Sequence, residues 1–156
     1  MTREPPSNLE DHLGYWLRCL SNQVHHSFAK KLSSHNISVA QWVVLRVLYD
    51  NDNLDLSRAA ELIGVDKSTL SRMVDRLVGR GLAQRSEGKN RRSVRLSLSP
   101  VALELVPKLA RLADENDEEF FKHITSARKK ELLDIIKELL IANGSGLSKS
   151  YKHTME

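Results

Sequence analysis

The sequence predicts a mainly α domain carrying one small β-hairpin, on three observations. Residues 54–81 read as two helices joined by a three-residue turn, Gly64 to Asp66. From Leu82 to Leu98 the apolar period changes from helical to alternating. Long apolar stripes at helical spacing occupy both flanks. Helix, turn, helix and hairpin in that order make a winged helix-turn-helix, and the two flanking helical regions are expected to form a dimerisation stem.

The first helix is marked by Leu13, Leu17, Leu20, Val24, Phe28 and Leu32, one stripe at steps of three and four. A second helical segment, ISVAQWVVLRVLYD, follows it. Asp55 is placed to cap the next helix, whose apolar positions are Ala59, Ala60, Leu62 and Ile63. Gly64 ends that helix at the left-handed position, and Gly81 does the same for its successor. Between them Asp66 is the N-cap, with Val65 before it positioned to staple onto Leu70. Leu70, Met73, Val74, Leu77 and Val78 fill positions i, i+3, i+4, i+7 and i+8 and define a buried face. At ~100° per residue, the opposite face carries Ser68, Arg72, Asp75, Arg76 and Gly79, with Thr69 and Ser71 on its flanks.

Two short strands follow. Leu82, Gln84 and Ser86 alternate with Ala83 and Arg85, and Val94, Leu96 and Leu98 alternate with Ser93, Arg95, Ser97 and Ser99. Residues 80–95 hold six basic side chains and one acidic, a net +5 that exceeds the +4 of the whole chain. The positive charge is therefore concentrated, as phosphate binding requires. Ser99 as N-cap, Pro100 behind it and a staple from Leu98 to Leu103 open a long helix, which Pro107 is expected to kink. Leu132, Ile135, Ile136 and Leu139 mark a last helix, and the acidic run Asp114 to Glu119 reads as a solvated face.

Small polar residues and arginines on one exposed helix face suit the major groove of duplex DNA. The guanidinium fork matches guanine O6 and N7, and hydroxyls reach phosphates or base edges. The expected DNA-reading residues are Lys67, Ser68, Thr69, Ser71, Arg72 and Arg76. Lys89, Arg91 and Arg92 at the hairpin tip are the expected backbone anchors. Asp75, which phosphates would repel, is expected to orient Arg72 or Arg76.

Composition limits the alternatives. No apolar run approaches the roughly 18 residues of a membrane span, and MTREPPSNLE lacks the apolar core of a signal peptide, so a cytoplasmic location is expected. A single cysteine leaves no intramolecular disulfide and no thiol-rich zinc site. There is no Gly-x-Ser-x-Gly, no phosphate-cradling loop and no His-Glu-x-x-His, so an enzyme is not expected, nor any cofactor or metal. His25 and His26 are adjacent and diverge by about 100° on a helix, which makes joint metal ligation awkward.

The segments LGYWLRCLSNQVHHSFAKKL, ISVAQWVVLRVLYD, LSRAAELIGVDKSTLSRMVDRLVGRGL and RRSVRLSLSP together resemble the MarR family of dimeric winged-helix transcriptional regulators, from Leu9 to Asn143. The resemblance implies a homodimer on a pseudo-palindromic operator, usually a repressor, with Arg92 entering the minor groove beside Arg91. It also implies a plan: a flexible start over 1–8, dimerisation helices over 9–34 and 100–143, a DNA-binding lobe over 38–99 with its wing at 82–98, and a flexible tail over 144–156. Two departures stand out. The family's Asp-x-Arg at the wing tip is Asn90-Arg91-Arg92 here, so the tip is expected to be looser or to find another local partner. The family's Thr-x-x-Gly after the wing is Pro100-Val101-Ala102-Leu103.

Family pockets between stem and lobe take phenolic or aromatic carboxylate effectors. His12, Trp16, Cys19, Gln23 and His26 on the first helix, with Trp42 and Arg46 one turn apart on the second, form the candidate lining. The competing reading leaves the tryptophans in core or interface and the histidines on the surface. Cys19 also invites a redox-sensing role, but the cysteine of the family's peroxide-sensing branch would fall near Gly14. A winged-helix protein-interaction module is the other class left standing, and it has no use for Arg72, Arg76 and so basic a wing.

Overall fold

The computed structural model describes residues 4–90 and 92–144. Its elements are α1 (Leu13–Leu32), α2 (Val39–Asp50), β1 (Leu54–Asp55), α3 (Leu56–Ile63), α4 (Lys67–Gly79), β2 (Ala83–Glu87), β3 (Val94–Leu98), α5 (Pro100–Phe121) and α6 (Ser126–Ala142). Single 3-10 turns precede and follow α1 at Leu9–Asp11 and Ser33–His35. The N-terminal residues 1–3, Arg91 at the wing tip and the tail after Gly144 lie outside the described residues.

Local chemistry sets the helix boundaries. Ser38 and Gln41 close a reciprocal capping box on α2, which satisfies two amides that the helix itself cannot pair. Asp55 accepts from the Ser57 and Arg58 amides to start α3. Gly64, at φ 80°, lets two successive amides, its own and that of Val65, return to the Ala60 carbonyl. Asp66 then starts α4, and the turn between the helices is the short one expected from sequence.

The three strands form one antiparallel sheet in the order β1-β3-β2, with Ala83 opposite Leu98, Arg85 opposite Leu96 and Leu54 opposite Leu96 on the other side. The sequence reading missed β1. A two-residue strand is too short to show alternation, and Asp55 serves both as its end and as the cap of α3. Leu82 and Ala83 are consecutive and both buried, because Leu82 belongs to the turn after Gly81 and not to the strand face. Ala83 and Arg85 are the inward side of β2, Gln84 and Ser86 the outward side.

α2 is the centre of the lobe and packs on α1, α3, α4, α5 and β3. Its Val44, Leu45 and Leu48 join Ala59 and Ala60 of α3, Leu70, Val74 and Leu77 of α4, and Leu96 and Leu98 of β3 in one core. Val78, assigned to the same stripe of α4, is exposed; it lies at the edge of the buried arc, about 80° from Leu70. Ser99 ties the lobe to the stem: its amide bonds the Leu82 carbonyl, its hydroxyl donates to the Gly81 carbonyl at 2.6 Å, and the same oxygen caps α5 by accepting from Ala102. Leu103 stands exposed and forms no tight staple. α5 continues through Pro107 unbroken; the carbonyl that Pro107 cannot pair belongs to this exposed Leu103, where water can take its place.

The stem helices are only half covered. Along the α1 stripe exposure falls from 68% at Leu13 to 0% at Leu32, so its C-terminal half packs on α5 while its N-terminal half meets solvent. α6 buries no residue, and Leu133, Ile135, Ile136 and Leu139 are exposed. An open groove of about 680 Å³ between α1 and α6 is lined by Leu17, Leu20, Val24, Phe28, Ile136 and Leu139 among others. The acidic residues of 114–119 are exposed as expected, but Asn116 within the run is buried and accepts a 2.6 Å hydrogen bond from Ser27 of α1.

Candidate nucleic-acid interface

With Leu70, Val74 and Leu77 fully buried, the rotation of α4 about its axis is fixed. Lys67, Ser68, Arg72 and Arg76 are then exposed, and Thr69 and Ser71 lie at the margins, half-buried. Neither Arg72 nor Arg76 makes a hydrogen bond or ion pair among the described residues. The first turn of α4 is already occupied. Asp66 accepts from the Thr69 amide (2.7 Å), the Ser68 hydroxyl (2.6 Å) and the Thr69 hydroxyl (2.8 Å). The hydrogen bonds from Ser68, the Thr69 amide and the Thr69 hydroxyl, with the charge of Arg72 behind them, hold its carboxyl well below the usual carboxylate range. Ser68 and Thr69 therefore offer oxygen lone pairs outward. They are disposed to accept from a base amino group and less so to donate to phosphate.

Of the six basic residues of 80–95, three are bound to the protein itself. Arg80 donates to the Asn36 carbonyl (2.5 Å) and to that of His35, and Arg95 donates to the Asn53 carbonyl (3.1 Å). Arg85 reaches from β2 to α4, where it meets Ser71 and Asp75. Asp75 thus pairs with Arg85, and the expectation that it orients Arg72 or Arg76 is corrected. These arginines keep their charge, so the face stays positive, while Lys89 and Arg92 project from the tip without a hydrogen bond or ion pair among the described residues.

At the tip, the backbone of Asn90 is bonded to Ser93. Ser93 donates its amide (2.9 Å) and its hydroxyl (3.0 Å) to the Asn90 carbonyl, and its hydroxyl oxygen accepts from the Asn90 amide. Gly88 donates to the Ser93 carbonyl at 2.8 Å, and a Cβ on Gly88 would collide with Ser93 Oγ. A serine clamp thus spans the turn at Asn90. Lys67 and Arg92, from helix and wing, line one shallow depression with Asn90 and Ser93.

The candidate effector residues are spread out. His12 pairs with Ser7, and Trp16 donates to the Glu10 carbonyl, both at the exposed start of α1. Cys19 is half-buried beside Tyr15, and its hydrogen bond raises the Tyr15 phenol above its ordinary pKa. Trp42 packs edge-on against Phe28, twelve residues or about 18 Å along α1 from Trp16. Arg46 pairs with Asp50 and lies over the Tyr49 ring. Within one chain, then, two groups form, one at the start of α1 and one on α2. Gln23 and His26 are exposed on α1 between them.

Residues 37–94, from the second residue before α2 to the first of β3, match the model of the MarR family. Over these residues, which span the helix-turn-helix and the first strand of the hairpin, the chain is similar to the MarR family. Among the described residues its architecture, six helices and a small three-stranded antiparallel sheet, is that of MarR winged-helix structures. The organic hydroperoxide resistance transcriptional regulator of Bacillus subtilis is 28% identical over 92 residues, 58% of this chain and 63% of that protein. BpsR of Bordetella bronchiseptica, whose DNA binding is regulated by 6-hydroxynicotinic acid, superposes with TM-score 0.81 at 22% identity over 86% of this chain and 97% of its own. A cysteine-to-serine mutant of Escherichia coli MarR in complex with operator DNA does so with TM-score 0.80 at 23% identity, over 86% and 99%.

Periodicity alone located the exposed face of α4, but Arg85, Ser93 and Ser99 carry structural roles that it did not show. Arg85 left one signal: it shares the strand face of buried Ala83, where an arginine must find partners. The Asp66 cap has a testable signature. A carboxyl with a lowered folded pKa stabilises the fold above the unfolded carboxyl range of about 4, and that contribution is lost as pH falls through the folded value. Thermal melts are expected to show wild type above Asp66→Asn at about pH 7, with the margin shrinking steadily below about pH 4. A margin independent of pH contradicts the assignment.

Proposed function

We propose that this protein is a transcriptional regulator that binds operator DNA as a homodimer, with α4 in the major groove and the wing over the neighbouring minor groove. The observation that carries this is the pairing of two unpartnered arginines on the outer face of α4 with Lys89 and Arg92 at a clamped wing tip. None of these four cations makes a hydrogen bond or ion pair among the described residues, and the one internal influence seen is the charge of Arg72 on Asp66. The resemblance in fold to the operator-bound Escherichia coli protein supports the placement. A protein-interaction module would leave the same charges without purpose.

The dimer rests on the exposed apolar surface of α1 and α6. A second copy laid across the α1–α6 groove would cover Leu17, Leu20, Ile136 and Leu139, which nothing in one chain covers. Two-fold pairing sets the recognition helices about one DNA turn apart, so the operator is a pseudo-palindrome. Occupying such a site represses by exclusion, and repression is the outcome proposed. No helix among the described residues is long and apolar enough to cross a membrane, which accords with a cytoplasmic site of action.

Release by a small aromatic acid belongs to the same proposal. On α2, Arg46 sets a cation over the Tyr49 ring one turn from Trp42, the combination that an aromatic carboxylate uses. BpsR answers to an acid of that chemistry. His12, Trp16 and Cys19 enter the proposal only as a separate cluster at the start of α1.

Two measurements test these readings. In salt titrations with duplex DNA, Arg92→Ala is expected to weaken binding and lower the log-log salt slope by roughly 0.9, one phosphate's worth. Arg72→Ala should cost about 1 to 3 kcal/mol and relax selectivity at one base pair. Unchanged affinity in both would refute the interface. In thermal shifts, 6-hydroxynicotinate, salicylate or a related aromatic acid is expected to raise Tm with concentration in wild type and not in Arg46→Ala. No shift with any member of the panel counts against the effector site.

A further inference from the structure

Arg85 sits in the middle of β2, half-buried, and sends a single nitrogen across to the recognition helix. Its Nη2 lies 2.8 Å from the Ser71 carbonyl, 2.9 Å from Ser71 Oγ and 2.9 Å from Asp75 Oδ1. Its Nε is buried and has no hydrogen-bond partner, a cost that the Nη2 contacts must outweigh. Ser71 and Asp75 are one turn apart on α4, on the flank that borders the reading face. β2 leads, two residues on, into the wing tip that carries Lys89 and Arg92.

Three consequences follow from this geometry. The carbonyl of Ser71 already serves the helix, so Arg85 uses its second lone pair and grips backbone as well as side chain. Ser71 Oγ accepts from a cation, which leaves its own proton free and polarised, while Ser68 and Thr69 have theirs committed to Asp66. Asp75, 66% exposed beside a surface meant for phosphates, has its charge offset by Arg85.

We infer that Arg85 is a positioning residue for DNA recognition: it locks the wing strand to α4, aims the Ser71 hydroxyl as a donor and neutralises Asp75, without touching DNA itself. The inference rests on the DNA-binding reading above. It predicts behaviour unlike that of Lys89 or Arg92, because a positioning cation adds nothing to the phosphate count. It also predicts tolerance of lysine, since one nitrogen carries all three contacts and an ammonium has three protons for them.

The test uses the duplex that the wild-type protein enriches from a random pool, in anisotropy titrations at several salt concentrations. Arg85→Met is expected to bind about tenfold more weakly with the salt slope unchanged. Arg85→Lys should recover most of that loss, and Ser71→Ala should make Arg85→Met less costly than it is alone. Circular dichroism melts establish that each variant is folded; should Arg85→Met unfold, Arg85→Lys, Ser71→Ala and Asp75→Asn carry the same comparison. Asp75→Asn is expected to retain Ser71-dependent selectivity. Wild-type affinity in Arg85→Met, a slope lowered by about 0.9, or a lysine variant no better than methionine each overturns the inference alone. A wild-type protein that enriches no duplex overturns the DNA-binding reading and this one with it.

Discussion

The orientation of α4 is the constraint on which the rest of the molecule depends. Leu70, Val74 and Leu77 span an arc of about 60° and are all sealed against solvent, so the helix has no freedom to roll. Truncating any of the three would leave a cavity in a core shared by every helix of the lobe. That seal turns an amphipathic sequence into a directed surface: Arg72 and Arg76 point away from the protein because the leucines cannot.

A fixed helix is not yet a fixed interface, since the wing must hold its distance from it. Three hydrogen-bonded joints keep that relation. Ser99 ties the end of the sheet to Gly81, Arg95 ties β3 to Asn53, and Arg85 ties β2 to Ser71 and Asp75. Each joint sets a polar side chain on a backbone carbonyl, where hydrogen-bond geometry is restrictive. At the tip, Ser93 bonds to Asn90 and to Gly88 across the turn.

The elements that proved legible in the sequence are those specified locally. Caps at Asp55, Asp66 and Ser99, the left-handed glycines and the α4 stripe all involve residues within four or five positions, and each formed as read, Val78 apart. What escaped was set by register. Arg85 meets Asp75 only because β2 folds back along α4, and no periodicity records that meeting. Pairing of β1 with β3 joins residues some forty positions apart, and Val78, at the edge of the buried arc of α4, is exposed. The proposed effector site was least legible for the same reason: Trp16, in the stripe on the first helix, and Trp42, on the second, were read as one lining, yet Trp42 packs at Phe28, about 18 Å along α1 from Trp16. Charge alone could not show how the cations are used: three of the six basic residues of 80–95 brace the protein, while Lys89 and Arg92 make no hydrogen bond or ion pair among the described residues.

The central claim is that one rigid unit presents α4 to the major groove and the wing to the minor groove, twice, about a turn apart. Dimethyl sulfate interference on the bound operator tests it directly, because the reagent marks guanine N7 in the major groove and adenine N3 in the minor groove. The account predicts two tracts in which guanine N7 methylation blocks binding, centred roughly 10 base pairs apart, each flanked by interference at adenine N3. Interference confined to one groove, or a single tract without two-fold symmetry, would contradict it.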